Sequence, residues 1–105
     1  MIVTAWNNGR HYKTGAGYGL KLSVADRDRH IRRNWKTVVV ELPNGQKIEA
    51  NIDKPSFWSD SCREIISSEF GAWLLQARHA PWPKGRPPKF ELTHKSGNVF
   101  KLAGT

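Results

Sequence analysis

The sequence predicts an α+β fold: a strongly curved antiparallel sheet or partly open β-barrel of about six short strands, with one main amphipathic helix over residues 61–77. Three observations carry this. Apolar and polar residues alternate in short stretches bounded by Gly, Pro, Asn and Ser, the period of strands with one buried face. Only one stretch sustains a helical apolar period over several turns. A sheet of that many strands cannot lie flat on one helix, so it must curl around it.

Residues 2–6 alternate apolar and small side chains and predict the first strand, ended by the turn chemistry of Asn7-Asn8-Gly9. Gly15, Gly17 and Gly19 argue against helix and for an irregular connection. Leu20, Leu22 and Val24 share one face of a second strand. Asp26 is a candidate cap for a short helix to Asn34, with Ile31 and Trp35 inside and Arg27, Arg29, Arg32 and Arg33 outside; a bulged loop fits the same residues. Residues 37–42 and 46–52 form a hairpin about Asn44-Gly45. Lys54-Pro55-Ser56 breaks that strand, and Ser61 with Glu64 forms a capping box. Cys62, Ile65, Ile66, Phe70, Trp73, Leu74 and Ala77 then fall in one helical stripe. Residues 81–88 are too proline-rich for helix or central strand, and a last hairpin pairs Phe90 and Leu92 with Phe100 and Leu102 across Ser96-Gly97-Asn98.

A chain of 105 residues is expected to form one domain that buries about two thirds of its unfolded surface. With 38% hydrophobic residues it is expected to fold, and no apolar run is long enough to span a bilayer. Residues 1–6 have neither the basic head nor the apolar stretch of a secretory leader, so a cytoplasmic location without membrane association is expected. Cys62 is the one cysteine, which excludes an internal disulfide, and no Cys or His pair has zinc-site spacing. Neither a metal nor a cofactor is expected.

Charge narrows the function. Seventeen Lys and Arg against nine Asp and Glu give +8, a field that attracts phosphates at long range. The charge is also segregated: residues 1–36 hold eight basic and two acidic residues, residues 76–105 six and one, and the middle three and six. If the chain ends lie together, the basic segments would form one positive face.

Three segments concentrate that charge. Around Gly15, Gly17 and Gly19 the backbone could approach a phosphate, with Arg10, His11 and Lys13 supplying charge, although neither the dinucleotide fingerprint nor a Walker loop is present. Asp26-Arg27-Asp28-Arg29-His30-Ile31-Arg32-Arg33 is the densest basic run, equally suited to a salt-bridged surface and to forked phosphate contacts. Pro83-Lys84-Gly85-Arg86-Pro87-Pro88-Lys89 resembles the AT-hook, with Lys84 standing where that family has its first core arginine. The resemblance implies an extended Gly-centred core laid along a narrow A/T-rich minor groove. The plainer reading is a stiff basic loop pinned by Trp82.

Five tryptophans are many for this length, and Tyr12, Tyr18 and Trp82, with Trp6, are the candidates for stacking on unpaired bases. Hydrolase motifs are absent, and no acidic residue stands two before a lysine as in a common nuclease core. The expected function is therefore a non-catalytic domain that binds DNA or RNA, touching phosphates through Arg10, Lys13, Arg27, Arg29, Arg32, Arg33, Lys84, Arg86 and Lys89. The alternatives are a small metal-free ribonuclease drawing on His11, Tyr12, Lys13, Arg29 and His30, and an interaction or small-molecule-binding domain. A homodimer would cover exposed strand edges and surplus tryptophans, but one chain could equally cover them within itself.

Overall fold

In the computed structural model, which describes residues 1–104, seven strands and three helices follow one another as β1 (Ile2–Asn7), β2 (Tyr18–Lys21), α1 (Val24–His30), β3 (Thr37–Glu41), β4 (Lys47–Asn51), α2 (Pro55–Trp58), β5 (Glu64–Ile66), α3 (Ser68–Gln76), β6 (Lys89–Ser96) and β7 (Val99–Gly104). The class is α+β as predicted, but the sheet has seven strands and is mixed. Its order is β4-β3-β7-β6-β1-β2-β5, and β3 runs parallel to β7 while every other neighbour is antiparallel. The sheet does not close by hydrogen bonds: β4 and β5 are its two edges.

Both predicted hairpins form. Asn44 Oδ1 accepts from Gln46 N–H at 2.9 Å and stabilises the β3–β4 turn, and β6 and β7 pair from Phe90–Gly104 to Ser96–Val99. The parallel pair arises because the first hairpin docks as a unit beside β7, with Val40 level with Phe100. Val3, Leu20, Val38, Val40, Ile48, Phe90, Leu92, Phe100 and Leu102 point from one strand face into the core, as the period of two requires.

The long helix predicted over 61–77 is the largest difference. Arg63 takes a left-handed backbone (φ 70), and its guanidinium Nε donates to Leu22 O at 2.8 Å while Nη1 donates to Asp60 O. Residues 64–66 then run extended and pair with β2. The helix starts only at Ser68, where Ser67 Oγ accepts from Glu69 N–H at 3.2 Å in place of the expected Ser61–Glu64 box. The physical reason is β-branching: Ile65-Ile66 fits a pleated edge, and its spacing from Phe70 mimics a helical stripe without one. Cys62 accordingly lies in a loop, with its N–H held by Ser59 Oγ at 3.1 Å, and not at a helix start. Ile66 is exposed, whereas Phe70, Trp73 and Leu74 are buried.

Two smaller differences follow the same local logic. Ser23 caps α1, accepting from Asp26 N–H, so the second strand ends before Val24 and the helix ends at His30. Pro55, read as a strand breaker, also opens the single-turn α2, where its missing N–H costs nothing. Among the described residues no helix is long and apolar enough to cross a membrane.

Candidate nucleic-acid interface

Strand directions sort the loops into two groups. β1 begins, and β2 and β6 end, at one end of the sheet; α1, the 31–36 connection, α2 and the β6–β7 turn gather there. The 8–17 loop, the β3–β4 turn and the 82–88 loop gather at the other end, where β1 finishes and β6 starts. The two ends are separated by the length of β1, about 20 Å for a six-residue strand.

The α1 end holds a broad open groove of about 1020 Å³. Arg29, Arg32 and Arg33 line it with His30, Trp35, Trp58 and His94, and Asp28 is the one acidic lining residue. All three arginines are exposed. Arg33 lies over the Trp58 ring at 5.1 Å, and Trp58 is itself fixed by its indole N–H, which donates to Ile52 O at 2.9 Å. His94 packs edge-on against Phe100 and shares a 2.8 Å hydrogen bond with Gly97 O. Lys95 adds little here, because its ammonium binds Glu41 at 2.8 Å. That hydrogen bond holds the Glu41 carboxyl below its ordinary pKa.

Arg27 does not belong to this surface. The sequence assigns it to the outer face of α1, but its side chain is 4% exposed, and its Nη1 donates to Phe57 O at 2.9 Å and Ser59 O at 2.6 Å. Its Nε donates to Asp28 Oδ1 at 2.9 Å, and the guanidinium lies 5.4 Å from the Trp58 ring centre. A seven-residue helix with Arg27 one position past the capped turn aims that side chain at α2, which the sequence did not reveal. Arg27 thus ties α1 to α2 from beneath the groove, which it does not line. Arg27→Ala is expected to cost about 3 kcal/mol, because carbonyls that receive a charged donor lose it. Urea denaturation checks this; a loss below about 1 kcal/mol would mean that the tie is not structural.

At the opposite end the predicted residues are more dispersed. Arg10, Lys13, Lys84, Arg86 and Lys89 are all exposed. Arg10 Nη1 donates to the Tyr12 hydroxyl at 2.9 Å, leaving Tyr12 42% exposed. Tyr18, named as a stacking candidate, is fully buried and cannot offer a ring face to solvent. Its place in the core follows from β2, where Tyr18 and Leu20 share the inward face. Trp82 is half-buried and packs edge-on against His11 and Tyr18, with ring centres at 5.2 and 5.7 Å. The AT-hook-like segment departs from an extended core: Arg86 N–H donates to Pro83 O at 2.9 Å and Gly85 has φ 79, so Lys84-Gly85 is the corner of a tight turn.

The basic segments therefore form two clusters instead of one face. His11 and His30 stand at opposite ends of the sheet, so one scissile bond cannot meet both. Among the described residues no group of three or more His, Cys, Asp or Glu is placed to hold a metal ion. Trp58 and His94 are groove residues that the sequence did not single out, and Trp35, expected on the inner side of the short helix, lies past its end, half-buried and lining the groove; the three come from separate segments and carry no shared spacing. In comparison with known proteins, no family model, no curated protein and no solved structure matches this chain.

Proposed function

We propose that this protein binds the phosphate backbone of nucleic acid without cleaving it, through the groove at the α1 end. One observation carries the reading: Arg29, Arg32 and Arg33, exposed and nearly unopposed by acid, share one concave wall with Trp35, Trp58 and His94. A guanidinium forks onto two phosphate oxygens, and three in a row follow a backbone better than scattered lysines would. The aromatic floor accepts sugar or base edges by contact. In this reading the sheet is a strongly curved, partly open barrel, because Cα atoms of the unpaired edges β4 and β5 approach within 8 Å. The groove is its mouth. Arg27 and Trp58 hold the two helices of the rim at fixed spacing, so the arginines are placed before binding.

Fluorescence anisotropy of labelled single-stranded and duplex DNA and RNA tests this over a salt series. Three phosphates neutralised predict a log–log slope of about −2.7, or a loss of about fortyfold between 50 and 200 mM salt. The oligonucleotides are expected to remain intact on a gel afterwards. Affinity that is flat with salt, or absent at low salt, would overturn the reading, and cleaved RNA would replace it with a nuclease.

A further inference from the structure

At the other end of the sheet lies a second cleft, of about 520 Å³, lined by Trp6, His11, Trp82 and Lys84 together with small or uncharged residues. Its walls are aromatic and its one charged side chain is cationic. Trp6 and Trp82 are each half-buried, so both keep ring surface available. His11 is held by two contacts: it meets the Trp82 ring edge-on at 5.2 Å, and its Nδ1 lies 2.6 Å from the Tyr18 hydroxyl. Burial pushes the Tyr18 phenol above its ordinary pKa, so it keeps its proton. In the tautomer in which the Tyr18 hydroxyl donates to Nδ1, the imidazole N–H is on Nε2. In that tautomer the exposed ring presents a donor at Nε2.

We propose that this cleft binds a nucleobase bearing a phosphate, with the base against Trp6 and Trp82, His11 Nε2–H offered to a base acceptor and Lys84 on the phosphate. The ligand class follows from complementarity: flat π-surface meets tryptophan, an acceptor edge meets a fixed donor, and an anion meets the lysine, with no carboxylate among the lining residues to repel it. A base paired in a duplex has its stacking faces covered, so the occupant is an unpaired base of a strand or a free mononucleotide. The cleft rests on the nucleic-acid reading for its ligand class, yet it lies about 20 Å from the arginine groove and can fail independently.

Two probes separate the sources. Adenosine 5′-monophosphate is titrated calorimetrically against the intact protein, and a labelled single-stranded oligonucleotide is compared with its duplex by anisotropy. Lys84→Ala, a change at an exposed turn, is expected to weaken the bound probe about tenfold, and Trp82→Leu at least as much. Lys47→Ala, an exposed lysine on β4 with the same charge change, is expected to have no such effect. If only the oligonucleotide responds to Lys84→Ala, the base arrives within a strand; if the mononucleotide responds too, the free nucleotide is also a ligand. Either response supports the cleft. Binding of both probes that is indifferent to Lys84→Ala, or no binding of either, overturns it. The salt slope on duplex reads the groove alone, so a cleft that fails leaves that result standing.

Discussion

Replacing Arg29, Arg32 and Arg33 together by alanine is expected to weaken duplex binding about a hundredfold at low salt and to bring the log–log salt slope close to zero. The magnitude follows from three exposed ion pairs at about 0.9 kcal/mol each, below the worth of a charge-assisted bond in a dry site, since the groove is open to water and screening is substantial. The fold should tolerate the change. All three side chains are exposed, and the one packing interaction lost is the stacking of Arg33 on Trp58, worth about 0.5–1 kcal/mol. Thermal unfolding should therefore move little while affinity collapses. Net charge alone is separated by a matched variant, Lys13→Ala with Lys84→Ala and Arg86→Ala, which removes the same three charges from the far end of the sheet. It should cost duplex affinity much less. Equal losses from the two triples would mean that a diffuse field attracts the polyanion and that the groove has no special part. Arg→Lys at the same three positions adds a further distinction: charge is kept and the fork is lost, so the slope should persist while affinity falls about tenfold.

The groove was only half legible in the sequence, for a reason visible in its parts. The run from Arg27 to Arg33 announces charge, but charge density does not say which side chain a short helix turns inward. Arg27 differs from Arg29 only by position on α1, and its partners Phe57 O and Ser59 O lie some thirty residues away. Trp58 and His94 could not be assigned, because tertiary proximity between segments has no local spacing to read. The hairpins were legible because Asn44-Gly45 and Gly97-Asn98 determine their own turns. The stretch 61–66 misled because Cys62, Ile65 and Ile66 satisfy both a helical stripe and an edge strand, and the choice falls to Arg63, whose left-handed backbone is stabilised by hydrogen bonds to Leu22 and Asp60. The same ambiguity hid β5 and with it the seventh strand. The parallel pairing of β3 with β7 was illegible for another reason: the sequence shows where strands are, while their order depends on how the first hairpin docks.

Gly71→Ala is expected to destabilise the protein by about 2 kcal/mol, against the gain of about 1 kcal/mol that alanine ordinarily brings to a helix interior. The sign turns on one contact. A Cβ on Gly71 would stand 2.6 Å from both the carbonyl carbon and Cα of Gly15. Gly15 itself sits buried at φ 89 and packs directly on the Ser68, Gly71 and Ala72 backbone of the same helix, so the two glycines share one close backbone contact. Both sides of the clash are backbone, so no rotamer relieves it, and α3 must part from the 8–17 loop. That loop carries Arg10, His11 and Lys13, and besides this contact its return to β2 is secured by Asn8 N–H to Gly17 O at 3.0 Å. Separation should therefore release His11 from Tyr18 and Trp82 while the α1 end, on the far side of the sheet, keeps its arrangement. Thermal unfolding is expected to fall by roughly 10 °C, and the mononucleotide should bind the variant about tenfold more weakly than the parent. Duplex affinity and its salt slope should hardly change at temperatures where the variant is folded. A neutral or stabilised Gly71→Ala would mean that the loop does not rest on α3 in solution, and the cleft would then lack the wall on which His11 depends.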